Sequence, residues 1–257
     1  MRMVFCFLLF SFHSLAVAGS PAAAHATQSQ EVETTANDGV RVFGEQYFGT
    51  LDAKAPLILL FHQAGSNGRG EYGDLIPWLQ AAGFRAIAWD LRSGKARFDH
   101  DNRTASALNS TEKISYCDVS PDLQAALDYV VQQDLAEKVV VWGSSYTASL
   151  VFKLAADNPQ RIAGVAAFSP AAGGPMVDCR ARMWVDQVQA PVIVFRPEKE
   201  MELASSQEQR DILVAAGAEF HVIANAVHGS SMLVDARSKH DMQAARDTVE
   251  QWLKGLQ

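Results

Sequence analysis

"KVVVWGSSYTASL", Lys138 to Leu150, decides the fold. Val139 to Trp142 form a continuous apolar run, the mark of a strand buried on both faces. Gly143 ends the run, two serines follow, and the segment from Tyr146 reads as helix. Gly143, Ser145 and Thr147 make the pattern Gly-x-Ser-x-small between a strand and a helix. A turn this tight needs small residues two before and two after its central serine. It lifts that hydroxyl above the sheet and sets its backbone at the positive end of the next helix. Ser145 is therefore the candidate reactive serine. Centring the turn on Ser144 would put Trp142 and Tyr146 at the flanking positions, where bulky side chains clash. Thr147 stands where glycine is usual, so its β-branch is expected to load the turn with strain.

The surrounding pattern agrees with a strand at this place. "VRVFGEQYFG" from Val40 alternates like an antiparallel strand. "APLILLFHQ" from Ala55, "FRAIAWD" from Phe84, "RIAGVAAFSP" from Arg161 and "APVIVFRP" from Ala190 read as buried strands, and "AEFHVIANAVHG" from Ala218 as strand then loop. Between them lie helical patterns. "GEYGDLIPWLQAAG" reads as one helix ending at Gly83. "SPDLQAALDYVVQQD" is amphipathic, with Ser120 as N-cap and Pro121 at the first position. "SSQEQRDILVAAG" and "DMQAARDTVEQWLKGL" follow. This alternation predicts a doubly wound, mostly parallel α/β sheet flanked by helices, one domain over residues 40–257. Thr27 to Asn37 is polar and reads as frayed. Arg92 to Val119 and Ala171 to Gln189 break the alternation. They read as small lid-like insertions on the sheet edge where ligands bind, with no large cap domain.

The first residues carry a different signal. "MRMVFCFLLFSFHSLAVA" has one Arg, an apolar run from Met3 to Phe12 and no acidic residue, and "GSPAAAHATQ" follows. Residues 1–26 read as a secretory signal peptide, cleaved after Ala18 or Ala26. The run is short for a membrane span, so no stable span is expected after its removal. A secreted or periplasmic protein is expected. Cys117 and Cys179 remain after cleavage, and an oxidising compartment invites a disulfide between them. The alternative is two buried free thiols. The formal net charge is -7 with no basic cluster, which argues against a nucleic-acid partner. No Cys/His spacing resembles a metal site.

A serine hydroxyl needs a base to take its proton. His228 in "VIANAVHG" lies in the loop after the last strand, whereas His221 is inside that strand and His100 is in a polar insertion. A carboxylate must orient the base. "RPEKEMELA", after the strand at Val192, offers Glu198, Glu200 and Glu202. The reading takes Glu200, a short turn beyond the strand end, with Glu198 as the alternative acid. For an oxyanion hole, the backbone N–H of Tyr146 and one from the loop "HQAGSNGRG" are candidates, and Gln63 either adds a side-chain donor or fills space. Tyr146, Trp184 and Phe98 are candidates either for pocket walls or for ordinary packing.

With "LLFHQAGSN", "AIAWDLRSG", "VWGSSYTA" and "VHG" assembled, the chain resembles the α/β-hydrolase superfamily, in particular its esterase and dienelactone-hydrolase-like members. The order Ser145, Glu200, His228 is that of these enzymes. "HQAGSN" is similar to their His-Gly loop, with Gln63 in place of Gly, and that likeness implies the Ala64 N–H as the second oxyanion donor. In "WDLRSG", Asp90 and Arg92 are expected to tie loops together. The resemblance implies an acyl-enzyme on Ser145, a small-molecule ester as substrate, and no metal or organic cofactor. Thioester or peptide hydrolysis and acyl transfer use the same site. A non-catalytic binding protein on this fold is the reading from a different class. Sequence leaves the oligomeric state open.

Overall fold

The computed structural model describes residues 29–108 and 113–256. The signal peptide reading, with its cleavage sites at Ala18 and Ala26, lies outside the described residues. Among the described residues, eight strands form one sheet: β1 (Gln30–Thr35), β2 (Arg41–Tyr47), β3 (Leu57–Phe61), β4 (Arg85–Trp89), β5 (Val139–Ser144), β6 (Ile162–Phe168), β7 (Val192–Pro197) and β8 (Glu219–Ile223). Their order is β1-β2-β4-β3-β5-β6-β7-β8. β2 runs antiparallel to both its neighbours, β1 and β4, and every other adjacent pair is parallel. The helices are α1 (Gly68–Tyr72), α2 (Ile76–Ala81), α3 (Arg103–Leu108), α4 (Ser120–Gln132), α5 (Tyr146–Asp157), α6 (Ala204–Ala215), α7 (Asp235–Ser238) and α8 (Gln243–Lys254). Every residue of β3, β4 and β5 is buried, as central parallel strands covered on both faces should be. Two apolar cores result. One holds Leu57, Leu59, Val141, Leu150 and Phe152, the other Ile58, Leu60, Trp142, Phe168 and Phe195.

Three local readings differ from the structure. The polar Thr27–Asn37 stretch is not frayed at its centre: Gln30–Thr35 pairs with β2 through the backbone, and Val32 and Ala36 are buried. The outward Glu31 and Glu33 bind Arg103 and Arg41, so charge suits an edge strand. The sheet thus begins before residue 40. Second, the predicted helix over 70–83 is two short helices. α1 stops at Tyr72 with Gly73 as its C-cap, and α2 restarts at Ile76 with Pro77 in its first turn, where proline needs no N–H partner. Third, Ser120 is not an N-cap. A 3-10 turn at Tyr116–Val119 runs straight into α4, and Ser120 Oγ donates to the Cys117 carbonyl instead.

The two insertions are tied together. Cys117 and Cys179 form a disulfide with 5.5 Å between Cα atoms. In "WDLRSG", Asp90 accepts from Gly68 N–H and from Arg103. Arg92 grips Asp122 and Asp38. Both residues therefore join loops, as the sequence suggests.

Candidate active site

The carboxyl ends of β3, β5, β6, β7 and β8 lie side by side. Ser144 pairs in register with Phe168, Phe168 with Phe195, and Pro197 with Ile223. The residues that follow each strand therefore meet along one sheet edge, where open α/β sheets bind ligands.

Ser145 follows β5 directly. Its backbone sits at φ 63°, ψ -116°, a corner geometry dominated by glycine. Such an outlier persists only where its surroundings hold it. Here Ser145 N–H donates to the Phe168 carbonyl and its own carbonyl accepts from Ala171 N–H. Gly143 is obligatory, because a Cβ there would lie 2.5 Å from the Thr147 carbonyl oxygen and 2.6 Å from Ala148 N. Thr147 does more than fit. Its hydroxyl accepts from Ser144 N–H at 2.8 Å and donates to the Phe61 carbonyl at 2.8 Å, pinning the turn to β3. The strain sits on Ser145, not on Thr147. Ser144 points the other way. It is buried, and its Oγ accepts from Ser230 N–H at 2.9 Å.

Glu200 and His228 come together from separate loops. Glu200 Oε1 lies 2.6 Å from His228 Nδ1. A carboxylate at that distance makes Nδ1 the donor and leaves Nε2 as the basic nitrogen of the neutral ring. The imidazole side chain is 49% exposed and the glutamate 18%. Gly229 takes the backbone past the ring at φ 70°, where a Cβ would collide with Ser144 Oγ. Glu200 Oε2 accepts from Arg196 at 2.8 Å. Burial pushes the Glu200 carboxyl up, but His228, Arg196 and the Ser169 hydroxyl outweigh it and hold the group below the ordinary carboxylate value. Glu198 makes no hydrogen bond to His228 among the described residues. Nor does the Ser145 hydroxyl, and such bonds tighten when substrate binds.

On the β3 side, Gln63 N–H is committed to Glu71 Oε2 at 2.9 Å. The adjacent Ala64 N–H and the Tyr146 N–H at the first position of α5 donate to no protein group among the described residues. Tyr146 is buried, stacked on Tyr116, and its hydroxyl accepts from Ser93. Phe98 lies between the Arg97 and Arg237 guanidinium groups, and Trp184 under Lys153. These three aromatic residues are engaged in packing. His62 is buried and structural: its Nε2 accepts from Leu91 N–H, so its Nδ1 donates to the Gln63 carbonyl.

Sequence reading missed Ser169, Arg196 and Glu71. Arg196 had a signal, since a cation closing the buried strand "PVIVFR" must find partners. It finds Glu200, Ser206, Gln209 and the Pro170 carbonyl. A serine closing an apolar strand, as Ser169 does, is too common to single out.

Comparison with curated protein sequences finds no match. Among solved structures, an esterase of Pyrococcus furiosus superposes with a TM-score of 0.69 at 14% identity, over 93% of this chain and 97% of that one. A dienelactone hydrolase from Anabaena variabilis gives 0.66 at 16% identity, over 89% and 97%. An acylaminoacyl peptidase of Pyrococcus horikoshii gives 0.63 at 11% identity, over 88% of this chain and 41% of that one. At these identities the likeness shows the α/β-hydrolase fold. The family model of the dienelactone hydrolases matches residues 45–257, most of the chain, and the protein is therefore a hydrolase belonging to the dienelactone hydrolase family.

Proposed function

We propose that the protein cleaves carboxylic esters of small molecules through an acyl-enzyme on Ser145. His228 Nε2 takes the Ser145 proton as the hydroxyl attacks the ester carbonyl, and Glu200 orients the ring and stabilises its charged form. The Tyr146 and Ala64 N–H groups receive the developing oxyanion. The imidazolium then gives its proton to the leaving alcohol. Water, activated by the same nitrogen, releases the acid and restores the serine. The observation that carries this reading is the 2.6 Å contact of Glu200 Oε1 with His228 Nδ1, made on the sheet edge where Ser145 occupies its strained corner. Export is part of the proposal, and the Cys117–Cys179 disulfide supports it.

The test is turnover of p-nitrophenyl acetate, butyrate and octanoate, with fluorophosphonate labelling read by mass spectrometry. Label on Ser145, and loss of both turnover and label in Ser145→Ala, is the expected result. A folded wild-type protein that neither turns over nor takes label would sink the enzyme reading in favour of a binding protein on this fold.

A further inference from the structure

Ser169 stands between the acid and the base without belonging to either. Its hydroxyl donates to Glu200 Oε1 at 3.1 Å, the oxygen that also meets His228. The same hydroxyl accepts from Gly229 N–H at 3.0 Å, the peptide that follows His228. One buried atom thus contacts the side chain of the acid and the main chain of the base. Its own position is fixed. Ser169 N–H donates to the Phe195 carbonyl at 2.8 Å, and its backbone sits at φ 51°, a left-handed conformation that serine rarely adopts. Such strain at a buried position points to a use for what it places there.

The rest of the carboxylate is held from the other side. Arg196, whose side chain is 5% exposed, takes Oε2. It is itself fastened by Ser206, Gln209 and the Pro170 carbonyl, the residue after Ser169. Among the described residues, the charged and titratable groups facing Glu200 are Arg196 from β7 and His228 from the loop after β8, with Glu198, Lys199 and Glu202 neighbours on its own 3-10 turn. Arg196 alone would leave Glu200 free to pivot about Oε2. The hydroxyl removes that freedom on the side that faces the imidazole.

We propose that Ser169 is a positioning residue for the hydrolase reaction, locking Glu200 Oε1 and the His228 loop into one geometry through a single shared hydroxyl. The inference rests on the serine-hydrolase reading above. It concerns preorganisation: a group held slightly out of place loses rate even where binding is unchanged.

The experiment compares wild type, Ser169→Ala and Ser169→Gly for kcat, KM, pH profile, fluorophosphonate labelling rate and thermal unfolding. Glycine suits φ 51° better than serine, so Ser169→Gly keeps the fold where alanine loses stability. Both variants should lose about tenfold to a hundredfold in kcat and in labelling rate, with KM little changed. The acid limb of kcat/KM should move to higher pH, because the carboxylate loses a donor. The downfield proton signal of His228 Nδ1–H should shift in both variants. A purely structural serine would leave the pH profile and that signal alone. Wild type that labels at Ser145, beside folded Ser169→Gly with unchanged rate and profile, overturns this inference alone. Wild type that takes no label overturns the serine-hydrolase reading and this inference with it.

Discussion

Tyr116 is stacked on Tyr146, with ring centroids 4.7 Å apart and planes 22° from parallel. Tyr146 follows Ser145 in the chain, and Tyr116 precedes Cys117, so the disulfide to Cys179 anchors this aromatic stack on the residue beside Ser145.

The bridge closes a separation of 62 residues. By the loop-entropy account its loss should cost about 4 kcal/mol. The double variant Cys117→Ala/Cys179→Ala should unfold at clearly lower denaturant concentration than the oxidised wild type. An unchanged midpoint would mean that the insertions are held without the bridge.

Ser144 and Ser145 should separate stability from chemistry. Ser144→Ala leaves the buried Ser230 N–H without its acceptor, at a cost of about 1–3 kcal/mol. Ser145 should still take a fluorophosphonate label in that variant. Ser145→Ala should unfold like wild type and take no label. Chemical denaturation with label mapping measures both. A label found on Ser144 would reverse the assignment.

Glu200→Gln keeps the size of the side chain but removes the charge beside His228. Turnover should fall by roughly a thousandfold to ten-thousandfold, as when a triad acid becomes an amide. Glu198→Gln should stay within about threefold of wild type, as expected of a group outside the hydrogen-bonded set. Steady-state kinetics on one p-nitrophenyl ester distinguishes the two, and equal losses would refute the choice of acid.

Because the Glu200 carboxyl is held below its ordinary value of 4.5, its ionised form stabilises the fold. That contribution is fully present above pH 4.5 and is lost as pH falls through the lower folded value. The stability gap between wild type and Glu200→Gln should therefore be widest near neutral pH and narrow below pH 4.5. Denaturant unfolding across that range measures it, and a gap that widens on acidification would contradict the assigned direction.

The apolar run from Val139, Gly143 two before the serine and the smaller Thr147 two after it are local steric requirements, and sequence alone determined them. The buried strands were legible for the same reason: a parallel strand covered on both faces writes its burial into consecutive residues. His228 was singled out from order and loop, and the structure brings it to Glu200. The edge strand β1 was not, because its pairing is made by backbone groups and leaves polar side chains outside. The choice between Glu198 and Glu200 belonged to tertiary structure. Both lie on one 3-10 turn, where residues two apart point about 120° away from each other, and only the position of the His228 loop selects one. Ser169 and Arg196 were decided in the same way. The partners of Ser169, Glu200 and Gly229, follow two other strands and reach it only when the sheet aligns those strands, whereas Arg196 meets Glu200 four residues on and the Pro170 carbonyl across the sheet.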